Sequence, residues 1–223
     1  MLIIIQNDPR VPAGVYGRYL QEWNIPHRTL HLFAGEPLPS FSDASAIIVL
    51  GGTMGVHDER DYPFLVPLKR FMRDAAEAGT PILGLCLGGQ LLANVLGGAV
   101  RSSHRGEKGL HEIHLTTEGQ TDSLFAGLSQ RFAAFEWHND SFDVPPDSIH
   151  LAATPACPGQ AFRCRNAWGL QFHPEVDGDI VAVWSAKVDP EGKYAAGFAA
   201  GETAHRAMAG RILENFLALA QTA

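Results

Sequence analysis

Short apolar runs alternate with segments whose apolar positions recur at helical spacing through the N-terminal half of the chain. "LIIIQN" at 2–7 is a β-branched run that stops on turn residues, the pattern of a strand buried on both faces. "GVYGRYLQEW" at 14–23 carries a helical apolar stripe and is followed by Pro26. "SAIIVLGG" at 45–52 predicts a second buried strand ending on paired glycines. "PFLVPLKRFMRDAAEAG" at 63–79 predicts a helix, with Pro63 at its start and Gly79 as its stop. "TPILGLC" at 80–86 predicts a third strand, and "GGQLLANVLGG" at 88–98 the helix after it. This β-α-β-α rhythm implies a parallel sheet with helices on both faces.

The pattern then changes. Segments 110–116, 131–137, 149–154, 160–165 and 167–173 read as short strands with no long helix between them, which predicts an antiparallel layer or edge added to the parallel sheet. The chain ends in helical pattern at 179–187 and 202–221. No repeat or low-complexity linker interrupts it, so the expectation is a single α/β domain over 1–223.

Composition narrows the function classes. Hydrophobic residues make up 46% and charged residues 18%, within the range of a globular enzyme. The formal net charge of -7 is spread along the chain, which argues against nucleic acid as a partner. The one basic stretch, "RSSHRGEKG" at 101–109, reads as a solvated loop. The longest apolar runs are strand-length and predict no membrane association, and "MLIIIQNDP" lacks the basic start of a signal peptide. Cys86, Cys157 and Cys164 make neither a disulfide framework nor a C-x-x-C zinc pattern, so a reducing cytoplasm is expected.

Against that background, "GLCLGGQ" at 84–90 stands out. Cys86 falls where a buried strand turns directly into a helix, with Gly84 and Gly88 two residues to either side. Small neighbours at those places let strand and helix pass closely around a nucleophile on a strained turn. The helix that follows aims its N-terminus at the sulfur, a favourable place for negative charge. The competing reading is a buried structural cysteine beside packing glycines. "WGLQFHPEVD" at 168–177 supplies a base: His173 and Glu175 are two apart, so extended backbone puts them on one face, and Pro174 stiffens the pair. A carboxylate beside an imidazole fixes its tautomer and stabilises the imidazolium. His111 and His114 are three apart, on opposite faces of a strand, and no metal set is expected from them.

Acyl transfer also needs N–H donors for a developing oxyanion. Leu87, next after the cysteine, offers one; "GGTMGVHDE" at 51–59, after the second buried strand, offers a loop for the other. That loop could equally be a plain glycine turn, and it lacks the spacing of a nucleotide-binding loop.

Together these stretches resemble the class I, or triad-type, glutamine amidotransferases. "GLCLGGQ" matches the G-x-C-x-G-x-Q elbow of that family, "GLQFHPE" its Q-F-H-P-E segment, and "GGTMG" its Gly-Gly loop. "GGTMGVHDERDYPFL" and "WHNDSF" are most similar to the GMP synthase glutaminase domain, with Thr53 where that enzyme has Pro. The resemblance implies the flavodoxin-like fold of the family and a catalytic triad of Cys86, His173 and Glu175. It further implies oxyanion donors at Gly52 and Leu87, and a glutamine pocket lined by Gln90 and by His138, Asn139 and Asp140. No cofactor is implied. The implied substrate is glutamine or another γ-glutamyl compound, with ammonia passed to an acceptor. The stretch after Glu175 is too short for a synthetase domain, so the partner would be a separate synthetase subunit. The alternatives are a γ-glutamyl peptide hydrolase using the same triad, and a non-catalytic binding or regulatory module on this fold.

Overall fold

A computed structural model describes residues 1–222. The chain runs β1 (Leu2–Gln6), α1 (Gly14–Glu22), β2 (His27–His31), β3 (Ala46–Val49), α2 (Leu65–Glu77), β4 (Ile82–Leu85) and α3 (Leu87–Val95). It continues with β5 (Val100–Arg101), β6 (Glu107–Leu115), α4 (Thr117–Thr121), β7 (Arg131–His138) and β8 (Ser141–Phe142). It closes with β9 (Ile149–Ala153), β10 (Ala161–Cys164), β11 (Ala167–Leu170), α5 (Gly178–Ser185) and α6 (Lys193–Thr222).

The large sheet has nine strands in the order β2-β1-β3-β4-β11-β10-β9-β6-β7. From β2 to β11 every pairing is parallel, and from β11 to β7 every pairing is antiparallel. The predicted antiparallel edge is therefore a continuation of the same sheet, accompanied by a small β5–β8 pair. Alternation sorts the strand residues onto two cores. Ile4, Ile48 and Leu83 face α1 and α6, where Tyr16, Leu20, Ile212 and Phe216 are fully buried. Ile3, Ile5, Ile47 and Val49 face α2 and α3, against Leu68, Met72, Leu91 and Leu92. Burying apolar surface on both faces of one sheet is what holds the layers together, at roughly 1.5–3 kcal/mol for each fully buried large aliphatic side chain.

Four expectations need correction. The stretch at 101–109 is not wholly a solvated loop: Glu107 is buried at the start of β6, and Arg101, in β5, pairs with Ser141 of β8. The strand predicted at 167–173 ends at Leu170. The last helix begins at Lys193 rather than near 202, because alanines and small residues carry it without a strong apolar stripe. Finally, β2 went unpredicted: in "HRTLH" only Leu30 is buried, as suits the outer strand of a sheet.

Candidate active site

The elbow is built by close approach. Cys86 has φ 48°, in a region that non-glycine residues avoid, and it caps α3 directly after β4. A Cβ added at Gly84 would lie 2.5 Å from the backbone of Gly88, and one at Gly88 would lie 2.0 Å from the Val49 carbonyl oxygen. Only glycines let α3 press against β3 and β4 in this way. The Cys86 N–H donates to the Leu170 carbonyl at 2.8 Å, which ties the turn to the neighbouring β11.

Just beyond β11 the chain brings His173 back to the same sheet edge. The His173 N–H donates to the Phe135 carbonyl at 2.8 Å. Its Nδ1 lies 2.7 Å from Glu175 Oε1, and both side chains are buried. Residues 171–175 are not extended strand, so the pairing comes from a turn rather than from strand alternation. The Glu175 carbonyl accepts from the Val15 N–H at 2.8 Å, which seats this turn on the start of α1. Trp184 of α5 covers the imidazole edge-on, with ring centroids 4.9 Å apart. Burial alone would lower the His173 pKa, but the charges of Glu175 and Cys86 outweigh it and hold it well above the usual value. Cys86 and His173 line one cleft of about 260 Å³, with Gly52, Trp137 and Trp184.

Leu87 is the first residue of α3, where a backbone N–H has no intrahelical acceptor. A Cβ on Gly52 would lie 2.7 Å from the Leu87 side chain, so the two expected donors come from touching segments. The loop bearing Gly52 is pinned from β1: Asp8 accepts from the Thr53 N–H at 3.3 Å and from the Arg10 guanidinium at 2.9 Å. Burial would raise the Asp8 pKa, but hydrogen bonds from Arg10 and Thr53 bring it down to about 2.

Gln90 is buried on α3 and donates from Nε2 to the Asp140 carbonyl at 3.1 Å and to Gln171 Oε1 at 3.2 Å. Gln171 in turn donates toward Cys86 Sγ at 3.7 Å. A chain of amides thus joins the turn at 138–140 to the sulfur. Asn139 lines the same space as His138, Asp140 and Gln90. The Asp140 carboxylate faces outward, accepting from the Ser103 N–H at 2.8 Å.

His138 Nε2 faces buried Glu107 and Glu136. Burial lowers its pKa, yet the two carboxylates lift it to about 10. Asp8, Glu107, Glu136, Gln171 and Trp184 were not among the expected site residues. Gln171 had a signal, its place inside "LQFHPE"; the buried glutamates had none, since charged residues in a strand-edge segment read as solvated.

A nucleophile-type elbow on the edge of a mixed sheet, facing a buried His–Glu pair, defines a hydrolase-like class of site. The class I glutamine amidotransferase family model matches residues 23–179, and the chain belongs to that family of enzymes. It is 34% identical over 144 residues to a glutamine-hydrolysing GMP synthase subunit from Saccharolobus solfataricus, covering 63% of this chain and 72% of that one. A glutamine amidotransferase-like protein from Salmonella typhimurium is 29% identical over 191 residues, covering 81% and 80%. The crystal structure of a glutamine amidotransferase from Thermotoga maritima superposes with a TM-score of 0.88 at 26% identity, over 99% of this chain and 97% of that one. Among the described residues no helix is long and apolar enough to cross a membrane.

Proposed function

We propose that the chain hydrolyses the side-chain amide of glutamine through Cys86, His173 and Glu175. The observation that carries this reading is the positive-φ cysteine sharing a cleft with a buried histidine whose far nitrogen is 2.7 Å from a carboxylate. His173 takes the thiol proton as the sulfur attacks the amide carbon, and the Gly52 and Leu87 N–H groups hold the oxyanion. His173 then gives that proton to the departing nitrogen, releasing ammonia and leaving a γ-glutamyl thioester. Water, deprotonated by His173, attacks the thioester; glutamate leaves and the thiol is restored. Glu175 orients the imidazole and balances its charge. Gln90 and the His138-Asn139-Asp140 turn hold the amino-acid end of the substrate.

The likeness to a GMP synthase subunit supports a separate synthetase chain as the receiver of ammonia. A second reading, cleavage of γ-glutamyl peptides, draws support from the mouth of the cleft. Val183, Trp184 and Lys187 line its outer part, and Val183 is 67% exposed. Ammonia and glutamate release should be measured for the protein alone with glutamine and with a γ-glutamyl dipeptide. Release from glutamine, lost in Cys86→Ala, supports the first reading. Efficient peptide cleavage with negligible action on glutamine replaces it with the second.

A further inference from the structure

Behind the proposed glutamine pocket, on the antiparallel half of the sheet, lies a second cluster that shares only His138 with the residues proposed to hold the substrate. Glu107 from β6, Glu136 and His138 from β7, and Cys157 from the loop after β9 are all buried. One donor atom each from Glu107, His138 and Cys157 lies within 4.8 Å of the others. His138 Nδ1 is 2.8 Å from the Asp140 carbonyl, which can only accept, so Nδ1 carries the hydrogen. Nε2 therefore aims into the cluster, 3.3 Å from Glu136 Oε2 and 3.8 Å from Glu107 Oε2.

Neither contact has hydrogen-bond geometry: among the described residues, His138 Nε2 and both oxygens of Glu136 have no hydrogen-bond partner, although all are buried. An imidazole nitrogen facing two buried carboxylates calls for positive charge at that point, supplied by a proton on Nε2 when the site is empty and by a metal ion when one displaces that proton. Nitrogen and oxygen ligands at about 2.1 Å from a tetrahedral ion stand about 3.4 Å from each other, which the 3.3 and 3.8 Å separations bracket. The thiol lies within 4.8 Å of the Glu107 and His138 donor atoms and would be drawn inward on binding.

The surroundings are those of a prepared site. A metal-bound histidine usually gives its other N–H to a carbonyl or carboxylate, as His138 does to Asp140. Glu107 is fixed by Thr154 Oγ1 at 2.9 Å and by Gln160 Nε2 at 2.7 Å. An open cleft of about 680 Å³, lined by His111, Tyr194 and Lys108, leads from the surface to Glu107 and His138.

We infer that Glu107, Glu136, His138 and Cys157 form a binding site for a divalent transition metal, with zinc the best fit to one nitrogen, one sulfur and carboxylate oxygens. On binding, the Cys157 thiol and the His138 imidazolium each give up a proton to solvent, and the thiolate and Nε2 join the ion. The site would act on structure rather than chemistry. The Asp140 carbonyl that receives the His138 N–H also receives Gln90, so an ion here would stiffen the wall of the glutamine pocket from behind.

The test uses the full-length protein carrying Cys86→Ala, so that the nucleophile cannot itself bind metal. After loading with zinc and desalting, about one zinc per chain should remain. Cobalt in its place should give the intense near-ultraviolet band of a thiolate ligand. Adding Cys157→Ala should remove that band, and either Cys157→Ala or Glu107→Gln should weaken zinc binding by more than about tenfold. Circular dichroism shows which variant is folded, and Glu107→Gln decides if Cys157→Ala is not. Loss of all zinc on desalting, with no cobalt band, means that the cluster holds only a proton and overturns the inference. So does zinc binding that is unchanged in the folded variants.

Discussion

His173 and His138 are both buried and both flanked by carboxylates, yet their ring nitrogens are committed differently. His173 has one carboxylate, at hydrogen-bond distance on Nδ1, and its other side opens on a cleft shared with Cys86. His138 spends Nδ1 on a backbone carbonyl and faces two carboxylates that it does not hydrogen-bond. The first arrangement stabilises an imidazolium while leaving one nitrogen free to pass a proton on. The second concentrates negative charge around one nitrogen, where a cation is held rather than passed on. On the proposed roles, what separates a base from a ligand is not burial or nearby acid but which ring nitrogen is already committed.

The largest effect should come from the nucleophile. Cys86→Ala should lower glutamine turnover by about 10⁴-fold or more. A glutamine-like electrophile should label Cys86 and spare Cys157, whose thiol is pushed up to about 12 by burial and by nearby Glu136 and Glu107. Labelling concentrated on Cys157 in peptide maps would reverse the roles of the two regions.

Next come the two members of the His–Glu pair. His173→Ala should cost about 10²- to 10⁴-fold in kcat, and Glu175→Gln distinctly less, because orienting a base matters less than having one. Steady-state kinetics with glutamine would refute this ordering by showing the larger loss in Glu175→Gln. A smaller, differently shaped effect is expected at Gln90, which touches both regions through Asp140 and Gln171. Gln90→Ala should raise KM for glutamine by about tenfold and change kcat less. A kcat loss at constant KM would place Gln90 in the chemistry instead.

The smallest effect tests a third histidine, one with no carboxylate. His205 on α6 is fully buried beside Phe198, with ring centroids 5.0 Å apart. Burial, helped by the charge of His173, lowers its pKa from 6.5 to about 4. Above pH 6.5 it is neutral whether the chain is folded or not. As pH falls toward 4 the unfolded chain takes up a proton that the folded protein refuses, so stability declines over that window by up to about 3 kcal/mol. His205→Leu should flatten this part of the stability–pH curve in denaturant melts. An unchanged slope would mean that His205 is not the group responsible.

The parallel half was legible because its signals are local. β1, β3 and β4 are unbroken apolar runs, and Cys86 announces itself by the glycines that its close packing requires. His173 and Glu175 could be paired by their spacing, although a turn and not a strand brings them together. The antiparallel half was less legible because its important contacts are long-range. Nothing near Glu107 in sequence reveals that β7 and the loop after β9 will bury it, and "EKG" reads as solvent-facing until Thr154 and Gln160 close over it. The same holds for β2, which is held by Leu30 and by pairing with β1 rather than by a pattern of its own.

The place of β11 in the sheet governs the order in which the protein becomes competent as it is made. β4 must wait for β11 as its neighbour, and Gln171, just past that strand, reaches the Cys86 sulfur across 85 positions of chain. A ribosome adds residues one after another, so the elbow emerges well before its histidine exists. Non-local strand pairing is also slow to form, which lengthens that interval. On the proposed triad, the nascent chain would carry its cysteine without a base until β11 slots between β4 and β10, and activity would await the last strand of the sheet to be synthesised.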